Sequence, residues 1–265
     1  MSKRKLIEKD TRYPKGLYIF HEGISDTKDL LDFFENVEWF QRFGKQYPNT
    51  AHYNGHHCMA KDHKVIESAV REAINIAQTK CSHPALSHMK NNIDDVSVAT
   101  MRHKGAVREP AKRGNGTKLV KEGWGLGSHP DTWAPDGEGL VLMICVATTS
   151  SYHREFKFTC PALGWNYSFF TPNATVVVFT DEAYDIWEHE SVRSKWQDGE
   201  CISMTIRIKS IDSYYGWSVP DKLSGELLNM SHISSVGYAR QKQQERIEKM
   251  LKREQAVVVS EKNAI

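Results

Sequence analysis

Gly127-Ser128-His129-Pro130-Asp131, taken together with Glu188-His189-Glu190 much later in the chain, decides how the rest is read. In His-x-Asp an imidazole and a carboxylate stand two residues apart, and on an extended segment such residues share a face. A second imidazole, arriving at His189 from a distant strand, completes two histidines and one carboxylate on one side of a metal. Such a set leaves coordination positions open and suits ferrous iron.

The residues between and beyond these two stretches extend the pattern. A polar turn, Ala134-Pro135-Asp136-Gly137-Glu138-Gly139, leads into the apolar run Leu140 to Ala147. Arg154-Glu155-Phe156-Lys157-Phe158 alternates as a half-buried strand does. Thr175-Val176-Val177-Val178-Phe179 reads as another strand and continues through Asp181-Glu182-Ala183-Tyr184-Asp185-Ile186-Trp187 to His189. Cys201-Ile202-Ser203-Met204-Thr205-Ile206-Arg207 alternates again.

This order resembles the AlkB family of Fe(II)- and 2-oxoglutarate-dependent dioxygenases, over roughly residues 16 to 210 and most specifically 127 to 207. The resemblance implies an α+β fold with a double-stranded β-helix, or jelly-roll, core. It implies His129, Asp131 and His189 as the catalytic, iron-ligating set, with Fe(II) and 2-oxoglutarate as cofactors and dioxygen as co-reactant. It further implies oxidative demethylation of alkylated nucleobases in DNA or RNA, chemistry used in DNA repair and RNA demethylation.

Arg207 is the expected grip on a carboxylate of 2-oxoglutarate, because a guanidinium holds a carboxylate through a bidentate fork. An ion pair with a core acid is the competing role. Ser203 and Thr205 share its face and can add hydroxyl contacts. The chain also departs from the family, which commonly carries Arg-x-Asn-x-Thr-x-Arg on this strand. Here Cys201 and Ser203 stand at the first arginine and the asparagine. The family's Asn-x-Tyr on an earlier strand becomes Met101-Arg102-His103, so Arg207, His103 or Arg102 must hold the remote carboxylate, or the pocket differs. Trp133 stands where several nucleobase demethylases carry an acid. It either stacks on a flipped base, as base chemistry in an aromatic-lined pocket requires, or packs.

Composition bounds the remaining choices. The 265 residues fit a β-sandwich domain with helical additions. No apolar stretch approaches the twenty residues of a membrane-spanning helix, and no signal core follows the basic start. Five cysteines without paired spacing argue for a reducing compartment, and so for an intracellular setting, cytoplasm or nucleus. A net charge of +2 says little about partners, whereas local charge says more.

The domain expected from these signs spans 16–215. A flexible N-terminus, 1–15, precedes it, and a C-terminal extension, 216–265, carries a charged helix over Tyr238 to Glu254. That helix is either solvated or an arm that docks a partner. Gly16 to Phe20 reads as a strand. Ser25 or Asp26 caps a helix to about Val37, and a second helix, about Asp62 to Gln78, backs the sheet. His52-Tyr53-Asn54-Gly55-His56-His57-Cys58 matches no standard zinc spacing and reads as a polar loop or hairpin turning at Asn54-Gly55, with Tyr53 and His57 lining a substrate cleft. His83 and His88 read as a surface loop. Residues 104 to 125 form a basic insertion with Lys112 and Arg113 among its cations. Its glycines predict a mobile loop that either holds nucleic-acid phosphates or is merely solvated. Two alternatives remain to dioxygenation of nucleobases. One is hydroxylation of another target, such as a 5-methyl pyrimidine, a protein or a lipid. The other, favoured by Cys201 and Met101, is a catalytically silent nucleic-acid-binding module of the same fold.

Overall fold

The computed structural model describes residues 10–40, 51–111, 117–121, 123, 125–131, 138–149, 153–192, 199–208 and 240–256. Lys112, Arg113 and Trp133 lie outside this set, as does the side chain of Tyr53.

The described residues form thirteen strands: β1 (Asp10–Thr11), β2 (Leu17–Phe20), β3 (Trp39–Phe40), β4 (Ala51–Met59), β5 (Val96–Lys104), β6 (Val107–Pro110), β7 (Thr117–Lys121), β8 (Leu140–Ala147), β9 (Arg154–Cys160), β10 (Trp165–Thr171), β11 (Thr175–Thr180), β12 (Glu188–Ser191) and β13 (Glu200–Ile208). The helices are α1 (Lys28–Glu35), α2 (Lys64–Gln78), α3 (Pro84–Asn91), α4 (Asp181–Asp185) and α5 (residues 240–256).

The apolar run of β8 explains the layering. All its residues are buried, which a strand achieves only when both faces of its sheet are covered. Leu140, Leu142, Ile144 and Val146 face one apolar cluster, shared with Ile66, Val70, Ala73 and Ile74 of α2. Val141, Met143, Cys145 and Ala147 face a second cluster, shared with Phe156 and Phe158 of β9. Helices therefore cover the outside of a seven-stranded sheet, ordered β2-β11-β8-β13-β5-β4-β3, and a four-stranded sheet, β1-β10-β9-β12, covers its inside. All pairings are antiparallel except β1 with β10. Two facing antiparallel sheets of this kind make the jelly-roll, double-stranded β-helix core expected from the sequence. Among the described residues no helix is long and apolar enough to cross a membrane.

Gly16 lets two neighbouring strands of the seven-stranded sheet close up. Its φ is +83°, and a Cβ there would sit 2.2 Å from the Thr180 carbonyl oxygen, so only glycine lets β2 approach the end of β11.

Local chemistry corrects four expectations. The chain does not turn at Asn54-Gly55: β4 runs through both, and a register shift against β5 between His52 and His57 absorbs the extra residues as a bulge. Of the two histidines expected on a loop, His88 lies within α3, while His83 ends the connection before it as the N-cap. Pro84 opens α3, where it needs no donor, and His83 Nδ1 accepts from Ala85 N–H at 3.2 Å. The basic insertion is in part a hairpin, β6 with β7, whose tip at 112–116 is outside the described residues. The charged C-terminal helix, here 240–256, docks on the core through buried Gln243, Arg246 and Ile247. The first two helices form close to where they were expected. Asp26 Oδ1 accepts from the amides of Lys28 and Asp29 at the start of α1, and α2 ends at Gln78.

Candidate metal centre

The segment 125–131 lies along the free edge of β12. His129 N–H donates to His189 O at 3.1 Å and His189 N–H to His129 O at 3.0 Å, an antiparallel bridge between segments far apart in sequence. Ser191 N–H donates to Leu126 O at 3.0 Å, Leu126 N–H to Ser191 Oγ at 3.1 Å, and Ser128 Oγ to Glu188 Oε2 at 2.8 Å. Residues directly opposite in such a pair share a face, and the two imidazole rings stand 4.4 Å apart. Asp131, two residues beyond His129, joins them. One ligand atom from each of His129, Asp131 and His189 lies within 4.8 Å of the others.

The protonation of the group suits a cation. His129 Nδ1 lies 2.8 Å from Gly127 O, and a carbonyl can only accept, so Nδ1 carries a proton and Nε2 is the nitrogen left for a metal. His189 is buried and ringed by Phe179 at 4.8 Å, Phe156 at 5.8 Å and Phe158 at 5.9 Å. Burial, helped by the neighbouring His129, pushes its imidazole down to about 3, so it is neutral near pH 7. Among the described residues its Nδ1 has no hydrogen-bond partner, while its Nε2 lies 3.6 Å from Asp131 Oδ2. A histidine serving only to pack would have its ring nitrogens satisfied. Asp131 itself is 3% exposed and also accepts from Arg207 Nη2. Two imidazoles and one carboxylate form a donor set that fits Fe(II), and three protein groups leave coordination positions open.

The expected cosubstrate residues line the same interior. Cys201, Ser203, Thr205 and Arg207 alternate on one face of β13, with His103 directly opposite Cys201 on β5. His103 and Ser203 are fully buried, and His103 Nε2 lies 3.1 Å from Ser203 Oγ. Arg207 forms an ion pair with the core acid Asp131. Arg102 bonds Glu200 Oε2 through Nε at 2.7 Å. One buried cation was missed: Arg154, at the head of β9, is 4% exposed. Its signal was present, since Arg-x-Phe-x-Phe places it on the same face as Phe156 and Phe158. The seryl contacts of Ser128 and Ser191 that fasten the ligand segment carried no comparable sign.

No protein-family model matches the sequence, and neither does any curated protein. Solved structures with a similar arrangement include HygX from Streptomyces hygroscopicus with nickel and 2-oxoglutarate bound, at 9% identity over 72% of this chain and 82% of that one, TM-score 0.40. A Pseudomonas putida prolyl-4-hydroxylase aligns at 10% identity over 72% of this chain and 92% of its own, TM-score 0.42. OsALKBH1 aligns at 10% identity over 75% of this chain and 100% of its own, TM-score 0.43. Identities this low say nothing about a shared substrate.

Proposed function

We propose that this protein is an Fe(II)- and 2-oxoglutarate-dependent dioxygenase of the AlkB type that oxidises alkylated bases in nucleic acid. The observation that carries this is the convergence of half-buried His129 with buried Asp131 and His189, from two distant segments, in a set of three that leaves coordination positions open. A ferrous ion held there would supply the activation of dioxygen at the expense of 2-oxoglutarate, which leaves as succinate and carbon dioxide.

The chain's own residues perform the remaining tasks. Gly127 O holds the His129 ring through Nδ1, which leaves Nε2 as the nitrogen for the metal. Phe156, Phe158 and Phe179 pack around His189 and keep water from it. Arg207 orients the Asp131 carboxylate through a charged hydrogen bond.

A nucleic-acid substrate is supported by the β6–β7 hairpin, which precedes the ligand segment and carries Arg108 and Lys118 beside half-exposed Val107 and Val120. Five unpaired, buried cysteines accord with a reducing compartment.

The test is anaerobic Fe(II) titration followed by 2-oxoglutarate turnover in air, with methylated oligonucleotides, peptides and lipids offered in parallel. Wild type should release succinate and, from N-methylated bases, formaldehyde. Asp131→Ala should lose at least about a hundredfold in succinate formation, as metal-site lesions do. Unchanged succinate release in that variant refutes the proposal, and formaldehyde from peptides alone would replace nucleic acid as the substrate.

A further inference from the structure

Arg154 is buried, yet two of its three side-chain nitrogens, Nε and Nη1, have no hydrogen-bond partner among the described residues. A guanidinium cannot shed its proton to escape burial, so a desolvated one without an anion is a costly arrangement to keep. Its neighbours offer little compensation. The Cys201 thiol lies within side-chain hydrogen-bonding reach, with the Cys145 thiol and the Thr171 hydroxyl beside it. Sulfur is a weak acceptor and does not match the two-pronged fork of a guanidinium.

The position of Arg154 points to what would satisfy it. Its Cζ lies 5.6 Å from the Phe156 ring, and that ring stacks on His189 at 5.8 Å and 19°. Across the interior, β13 presents Cys201, Ser203, Thr205 and Arg207 in a row. Arg207 meets Asp131 at the metal end, and Arg154 meets Cys201 at the other. Between them lie buried Ser203 and Thr205. The interior is thus basic at both ends and hydroxyl-lined between. Arg207 is engaged by Asp131, so a dicarboxylate bound at the metal through its 2-oxo acid end needs a different cation for its other end.

We infer that Arg154 binds the remote carboxylate of the dicarboxylic 2-oxo acid and so determines the choice of cosubstrate. This rests on the dioxygenase function proposed above.

The experiment compares 2-oxoglutarate with 2-oxobutyrate, which keeps the 2-oxo acid end and lacks the remote carboxylate. Binding to the Fe(II)-loaded full chain is read anaerobically by calorimetry, with no turnover. Wild type should bind 2-oxoglutarate more tightly by about 30-fold or more, the lower end of what unpairing a buried charge costs. In Arg154→Met that preference should vanish, with 2-oxobutyrate and Fe(II) affinities unchanged. Arg154→Lys should retain part of it, because a cation remains without the fork. A preference that survives in Arg154→Met overturns the inference and leaves the dioxygenase proposal standing. The wild-type comparison needs no variant to fold, and equal affinities there overturn the inference just as surely. Binding of neither acid by the iron-loaded wild type would instead remove the dioxygenase proposal itself.

Discussion

Asp131 sits between a neutral imidazole and a guanidinium. Its Oδ2 is 3.6 Å from His189 Nε2 and accepts from Arg207, in a site where the carboxylate is almost wholly shielded from water. In the proposed iron site Arg207 is the outer partner of Asp131, and such partners influence affinity as well as orientation. Replacing it with methionine should weaken Fe(II) binding by about ten- to a hundredfold, and lysine should weaken it less. Anaerobic metal titration reads this directly, and unchanged affinity would mean that the contact is incidental. At this scale the three converging residues were legible, because a spacing of two and a histidine downstream of an apolar strand are local facts. The pairing of Arg207 with Asp131 was open between two roles, since alternation names the face a side chain occupies and not its neighbour there. Arg154 was visible as a charge in register with an apolar face, but alternation alone did not show that it is buried.

Among the elements, α5 braces the turn that delivers His189. Gln243 Nε2 donates to Ile186 O at 2.9 Å, and Arg246 forms an ion pair with Asp185 of α4 at 2.7 Å. Ile247, 3% exposed, enters the inner apolar cluster beside Trp187. Truncating a buried isoleucine to alanine removes transfer energy and leaves a cavity. Ile247→Ala should cost about 2–5 kcal/mol. In a urea titration this should appear as a lower midpoint at unchanged slope. A loss under about 0.5 kcal/mol, typical of a surface change, would show that α5 is not anchored there. The helix itself was legible from its charge density and the stripe of Ile247, Met250 and Leu251. Its docking was not, because the same stripe serves a solvated helix, a partner arm or an intramolecular contact. Similarly, Asn54-Gly55 has turn chemistry, yet pairing of β4 with β5 on both sides of it draws the segment into a bulged strand.

Across the whole molecule, the seven-stranded sheet belongs to both apolar layers. Met143 and Ile144 are neighbours in β8 that face opposite clusters, with 4% and 0% exposure. Met143→Ala and Ile144→Ala should each cost about 2–5 kcal/mol and lower the same single transition. Near- and far-ultraviolet circular dichroism should follow coincident curves, and two separate transitions would show that the layers unfold independently. The sequence by itself determined what is periodic or adjacent along the chain: most strands and helices of the core, the face each side chain takes, and the His-x-Asp pair. Only the tertiary structure decided which edges meet, and with them that His189 bridges to His129, that Arg207 reaches Asp131 and that Arg154 is enclosed beside Cys201. The physical reason is that side-chain periodicity is set by local backbone geometry, whereas the partner of a buried charge is set by how distant strands pair and how two sheets face each other.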